Sequence, residues 1–181
     1  MKEKWTPPSE RPLGMKKRIL PILVQEDARM SEHLAELAKR LPLRRIIDRD
    51  QEPYLSRYTL QECADGGHVY LHYFHRGDSD HELHNHPWAG TAFILSGGYV
   101  EERREPDGSG GYRIVERMFG PGSVNIIEPD TFHRVDLIDP VKGCWTIFST
   151  SKKVQSWGFW NRDSGLFTPW REMLAARGIA T

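Results

Sequence analysis

His84 and His86 stand two positions apart in "HELHNHPWAG", residues 81–90. On an extended chain, side chains alternate between faces, so both imidazoles reach the same side a few ångströms apart. That spacing offers two neutral nitrogen donors to one cation, and imidazole is a common ligand for Fe, Zn, Ni and Cu. A third donor must come from elsewhere in the chain. His133 in "EPDTFHRVDL" is best placed, just after a Pro-led turn and near the start of another β-like run. A lone histidine is an ordinary polar residue. Two in register plus a third in a turn–strand context predict a metal centre of His84, His86 and His133.

Other residues compete for roles around that centre. His81 falls on the opposite face from the pair and reads as a bystander or a partner behind a ligand. Glu82 shares the parity of His84 and His86 and offers a carboxylate, and Asp136 is placed to orient a ligand imidazole. Glu101 and Glu102 in "YVEERRE" would also reach inward, but each reads as a solvated strand residue. Arg57 in "YLSRYTL" suits a bidentate grip on a substrate carboxylate. Arg103 and Arg104 have neighbouring glutamates as surface partners. Tyr58, Tyr70, His72, Trp88, Thr91 and Tyr99 complete the expected substrate pocket, with core packing the commoner job for the tyrosines. His68 shares a face with His72, His75 faces away, and His33 belongs to a helix surface.

These residues need a scaffold, and the chain predicts a β one. From about residue 55 it reads as short runs: "SRYTLQE", "HVYLHYFH", "GTAFILSG", "YVEERRE", "YRIVERMF", "SVNIIEP", "FHRVDLI" and "CWTIFST". Turn signals such as "DGG", "SGG", "PDGSGG" and "GPG" separate them, the texture of a sandwich or barrel. Before the runs, "MSEHLAELAKRLP" predicts a helix over 31–41, with Leu34, Leu37, Ala38 and Leu41 on one stripe, Ser31 as cap and Pro42 as stop. After them, "TPWREMLAARG" predicts a short helix with Thr168 as cap and Gly178 as stop. The organisation is therefore an N-terminal extension over 1–54, a barrel over 55–150, and an aromatic-rich tail over 151–181. Residues 1–14, polar and Pro-rich, are expected to be poorly ordered. The tail holds Trp157, Phe159, Trp160, Phe167 and Trp170. It is expected to pack over one end of the barrel, and it would also suit a lid or a homodimer contact.

Composition narrows the function. The chain has 181 residues, 25 Lys plus Arg and 25 Asp plus Glu, so its formal net charge is zero. That balance gives no electrostatic case for nucleic acid or an anionic membrane. No apolar run is long enough to span a bilayer, and the N-terminus lacks the apolar core of a secretory signal. Cys63 and Cys144 are far apart and in no CxxC, which predicts reduced thiols and a cytoplasmic setting. A small-molecule substrate is the partner that remains. The contiguous "HNH" at 84–86 does not make a nuclease, whose motif residues are scattered over a longer fold.

With these residues in view, the stretch over about 55–150 resembles the cupin superfamily of RmlC-like jelly-roll barrels. "GDSDHELHNHPWAGTAFILSGG" is similar to the first cupin motif through Gly77, His84, His86 and Gly97 or Gly98, and "GPGSVNIIEPDTFH" to the second through Gly122, Pro129 and His133. Gly77 is one residue further from His84 than the motif asks, and the Pro129–His133 interval is one shorter. The glutamate of the first motif is missing, its slot holding Gly90 or Thr91. The remaining three-His set is similar to that of the cysteine-dioxygenase-like cupins. "HNHPWAGTAFILSGGYVEE" and "WTIFSTSKKVQSWGFW" also resemble a group of bacterial and phage cupin-like proteins with no assigned substrate. The resemblance implies a double-stranded β-helix, an all-β jelly roll with helical ends. It implies one divalent metal, Fe(II) favoured over Zn, Ni or Mn, and an Fe(II) oxygenase acting on a small molecule. Two other readings stay open: a metal-dependent isomerase, lyase or hydrolase, and a barrel that only binds a small ligand.

Overall fold

The computed structural model describes residues 13–47 and 52–176, with 13–24 as backbone. The chain runs α1 (Leu13–Ala38), β1 (Leu43–Ile47), β2 (Pro53–Glu62), β3 (His68–Phe74), β4 (Leu83–His84), β5 (Gly90–Gly97) and β6 (Tyr99–Pro106). It continues β7 (Tyr112–Phe119), β8 (Val124–Ile127), β9 (His133–Leu137), β10 (Cys144–Thr150), β11 (Gly158–Trp160), β12 (Phe167–Pro169) and α2 (Trp170–Ala176). Two six-stranded antiparallel sheets face each other, ordered β1-β2-β3-β10-β5-β8 and β12-β11-β4-β9-β6-β7. This is the jelly roll with helical ends that the cupin resemblance implies, and the short alternating runs predict its packed strands. All eight expected runs form strands within a few residues of their expected ends.

Alternation along β10 shows how one strand serves two cores. Cys144 and Phe148 pack between the sheets with Ala92, Ile94, Tyr99, Ile127, Val135 and Leu137. Trp145 points the other way and packs with Leu34, Ala38 and Leu71 beneath α1. That outer layer corrects the reading of the N-terminal helix. The helix starts at Leu13, so Ser31 lies inside it; rather than capping, its hydroxyl accepts a hydrogen bond from Trp145 Nε1 at 3.0 Å. Leu34 and Ala38 are buried as the stripe requires, but Leu37 is exposed. A second clip lies higher on the helix. Asp27 Oδ1 accepts from the Gly97 amide at 3.1 Å, and Asp27 Oδ2 pairs with Lys142 Nζ at 2.7 Å. Gly97 is obligatory there: its φ is +71°, and a Cβ would lie 2.1 Å from the Gly143 carbonyl oxygen.

Residues 1–12, expected to be poorly ordered, lie outside the described residues, while Leu13 and Gly14 open α1. The segment before residue 55 also supplies a strand, because β1 pairs antiparallel with β2. The aromatic tail is more than a cover for the barrel, although Trp157, Phe159 and Leu174 do line the cavity between the sheets. It enters the second sheet as β11 and β12, with β11 hydrogen-bonded to β4. Thr168 is therefore a strand residue rather than the cap of α2, and Gly178 lies outside the described residues. Both cysteines are free, Cys144 buried and Cys63 half-buried.

Candidate metal centre

β4 is two residues long and is held from both sides. His84 is the register partner of His133 on β9 and of Phe159 on β11. Directly opposed residues on neighbouring strands share a face, so the pairing sets His84 beside His133. His86 follows two positions later and closes a triangle. Ring centroids are 4.9 Å apart for His84–His86, 5.0 Å for His84–His133 and 5.0 Å for His86–His133. One ligand atom from each lies within 4.8 Å of the others.

The proton positions fit a cation. His133 Nδ1 lies 2.6 Å from Glu101 Oε1. An ionised carboxylate only accepts, so Nδ1–H donates, and in the neutral ring Nε2 is the nitrogen left with a lone pair. That nitrogen stands 2.8 Å from His86 Nε2. Two nitrogens bound to one metal at about 2.1 Å would stand about 3.0 Å apart at a right angle and about 3.4 Å apart in a tetrahedron. Burial, reinforced by the neighbouring histidines and Arg57, holds His86 well below the ordinary imidazole range. Burial lowers His84 too, against the opposing pull of Asp78. Neutral imidazoles are what metal ligation requires.

Glu101 is the residue that sequence reading placed wrongly. It is not solvated: its exposure is 0%. Arg103 Nε and Nη2 donate to its two oxygens at 3.0 Å each, and Asn125 Nδ2 donates to Oε1 at 3.0 Å. Arg103 Nη2 also reaches Asn125 Oδ1 at 2.8 Å and the Ile126 carbonyl at 3.0 Å. Burial would raise the Glu101 carboxyl, but the bonds from His133, Arg103 and Asn125 outweigh it and bring it down to about 2. A carboxylate behind a ligand histidine fixes the ring's orientation and strengthens it as a donor.

The neighbouring charges face outward. Glu102 pairs with Arg134 at 3.0 Å and Arg162 at 2.6 Å. Arg104 sits over the rings of Tyr112, Phe132 and Trp160 at 4.1, 4.3 and 4.8 Å.

The triad opens into a cavity of about 770 Å³ between the sheets. Of the residues expected at a substrate pocket, Arg57, His72, Trp88 and Tyr99 line it. Trp88 lies flat on His86, centroid to centroid 4.3 Å, and meets Phe148 edge-on at 5.2 Å. Tyr58 is elsewhere, stacked at 6.1 Å on Trp145 on the helix side of the sheet. Tyr70 lies under Arg57 rather than on the cavity wall. Thr91 lines a separate surface hollow with Ile126 and Ser149.

Neither expected carboxylate joins the triad. Asp136 is on the exposed face of β9, the wrong parity for His133, and the Glu82 carboxylate lies outside the group. His81 is exposed. Asp78, Trp157 and Phe159, none of them expected in the pocket, also line the cavity. Asp78 accepts from Tyr54 Oη at 2.6 Å and from the Val135 amide at 2.7 Å, which ties the "GDSD" loop to β9.

No protein-family model matches the chain, and no curated protein matches it. Solved structures do. The structure of Fe(II)-HppE with the alternative substrate (S)-1-HPP is similar at a TM-score of 0.50 and 13% identity, over 62% of this chain and 57% of that one. An RmlC-like cupin from Shewanella frigidimarina matches at a TM-score of 0.43 and 15% identity, over 65% of this chain and 88% of that one. The chain has the cupin fold. KdgF from a Halomonas species is a further match, with a TM-score of 0.44 and 17% identity over 69% of this chain and 93% of that chain. The chain spans a little over half of the HppE chain, 57%. Among its described residues, no helix is long and apolar enough to cross a membrane.

Proposed function

We propose that this protein is a metal-dependent enzyme of the cupin type, an Fe(II) oxygenase acting on a small molecule. The observation that carries the reading is the triad: three imidazoles, one backed by a buried carboxylate, at the wall of a cavity of about 770 Å³. That volume is the size of an ordinary small-molecule site. Fe(II) held by neutral nitrogens would keep its full charge and would supply the one-electron steps that reaction with O2 needs. His84, His86 and His133 would hold the ion, and Glu101 would keep the His133 proton on Nδ1. Trp88 and Phe148 give the cavity an apolar wall beside the histidines. HppE, named with Fe(II) and a substrate, lends support at the level of fold alone.

A second reading is a metal-dependent hydrolase, lyase or isomerase. The Glu101–His133 pair favours it, because a carboxylate behind a ligand histidine recurs in zinc sites. Zn, Ni and Mn suit the same donors.

Elemental analysis of the purified protein beside a His84→Ala, His133→Ala double variant tests both readings. Near-stoichiometric iron, lost in the variant, with O2 uptake stimulated by small acids, is the expected result. Zinc lost in the same way, with no O2 uptake, favours the second reading. No metal in either protein after reconstitution with Fe(II) overturns both.

A further inference from the structure

A row of rings leads away from the triad. Trp88 lies flat on His86, 4.3 Å away with planes 8° apart. Trp88 meets Phe148 at 5.2 Å, Phe148 stacks on His72 at 5.0 Å, His72 on Tyr70 at 5.5 Å and Tyr70 on His68 at 5.4 Å. Strand geometry builds most of the row. His68, Tyr70 and His72 are alternate residues of β3 and share its inner face. Tyr70 is opposite Phe148 in register on β10, so these two side chains also stand side by side. Packing alone explains the stacking. The chemistry of the rings adds a direction. Phenyl and neutral imidazole rings resist one-electron oxidation, whereas indole and phenol yield to it. Only Trp88 and Tyr70 in the row are of the second kind. Trp88 touches the triad, and Tyr70 lies half-buried beyond the cavity wall.

A phenol that loses an electron must also lose its proton, and that requirement sorts the tyrosines. Tyr99 is 2% exposed, its oxygen accepts from Asn125 Nδ2 at 3.1 Å, and burial holds its proton firmly. Tyr54 joins the row only edge-on, through Phe74, which lies 6.0 Å from both Tyr54 and His72. The Tyr70 hydroxyl hydrogen-bonds to none of the described residues, and with the residue half-buried, water takes the proton. The Arg57 guanidinium carbon lies 4.7 Å over the Tyr70 ring and opposes positive charge on it, so electron and proton leave together. With its proton gone, a phenoxyl radical is the more stable of the two near neutral pH. The electron therefore runs from Tyr70 to oxidised Trp88.

We propose that Trp88 and Tyr70 are the two stations of an electron path that disarms an oxidant left at the triad when no substrate is bound. The oxidant is of the class that a redox metal forms from O2 or a peroxide, and it takes one electron from Trp88. Oxidised Trp88 takes one electron from Tyr70, and the Tyr70 proton passes to water. A proton that the oxidised indole sheds to water returns to it on reduction. A soluble thiol then gives a hydrogen atom to the phenoxyl oxygen and leaves as a thiyl radical. The protective role rests on the oxygenase reading; the transfer from Tyr70 to Trp88 does not need the metal.

The test is pulse radiolysis of the full chain as purified, in bromide solution. Dibromide radical anions oxidise tryptophan far faster than tyrosine, and the two protein radicals absorb at different wavelengths. The expected result is a first-order loss of indolyl absorbance matched by growth of phenoxyl absorbance, at a rate independent of protein concentration. Trp88→Phe and Tyr70→Phe are each expected to remove the same share of that conversion, and Phe148→Leu to slow it. Transfer within other pairs, such as Trp160 and Tyr112 at 6.5 Å, is the share that stays. A conversion undiminished in either folded variant, or no first-order conversion in the unmodified chain, overturns the proposal. Should a variant fail to fold, a nitroso spin trap located by peptide mass spectrometry in the unmodified chain decides. An adduct on Tyr70 supports the path, and adducts on other tyrosines alone overturn it. Metal content is read separately: a protein that takes up no metal loses the protective role together with the enzyme reading, while the transfer stands or falls on the radiolysis.

Discussion

Glu101 Oε1 lies 2.6 Å from Nδ1 of His133, and both side chains are buried, at 0% and 3% exposure. The carboxylate therefore governs which His133 nitrogen carries the proton. Glu101→Gln keeps the size and removes the charge. It is expected to weaken metal binding by about ten- to a hundredfold. It should also lower stability by about 3 kcal/mol, since Arg103 loses a buried counter-ion. Competition with a chelator reads the first effect and denaturant unfolding the second. Unchanged metal affinity in the folded variant would show that Glu101 only fills space.

Trp88 is expected to report the metal. Its ring lies parallel to His86, 4.3 Å away with planes 8° apart. Adding Co(II) to the metal-free protein should quench its fluorescence. Trp88→Phe should abolish most of the quench while leaving the stoichiometry intact. An equal quench in the variant would assign the signal to another tryptophan, such as Trp157 on the same cavity.

His72 makes stability depend on pH. Burial first, then the Arg57 charge, holds its folded pKa well below the ordinary value. In the unfolded chain the ring titrates near about 6.5. Between those values the unfolded chain binds a proton that the folded chain does not. Stability is therefore complete above about pH 6.5 and declines as the pH falls below it, with a limiting slope of about 1.4 kcal/mol per pH unit. Denaturant midpoints at about pH 7.5 and about pH 5.5 measure the slope, and His72→Gln is expected to flatten it. Identical slopes would place the dependence on other histidines.

Asp27 tests whether the helix is needed for the site. Asp27→Ala deletes the bonds to Gly97 and Lys142. A loss of about 1–2 kcal/mol is expected, with faster proteolysis within α1. Metal affinity should not change, because α1 packs on the outer face of the first sheet and the triad lies on the second. Loss of metal together with the helix would join the two.

The scaffold was readable where alternation had room to show. Strands such as Gly90–Gly97 and Tyr112–Phe119 run eight residues each between turn signals. The strands that escaped notice, apart from β1 (Leu43–Ile47), are two or three residues long, too short for a period of two to register. The triad was legible because its spacing is local in His84 and His86 and turn-marked in His133. Glu101 was hidden by its company. In "EERRE" four neighbours are charged, and a charged run reads as solvated. Yet parity alone sorts it: Tyr99, Glu101 and Arg103 turn inward, while Glu102 and Arg104 turn out to Arg134 and to an aromatic cluster. The same parity excludes Asp136, one residue off the inward set His133, Val135 and Leu137.

His84 sits on a two-residue strand whose partners are His133 and Phe159. Both arrive much later in synthesis than His84 itself. A chain emerging from the ribosome, growing at about 5–20 residues per second, therefore displays His84 and His86 for several seconds before either partner exists. Until then the pair stands without the third imidazole and without the strands that hold it in line. The three-nitrogen cluster is thus assembled only when β9 has been made, by a partner 49 residues further along the chain than His84.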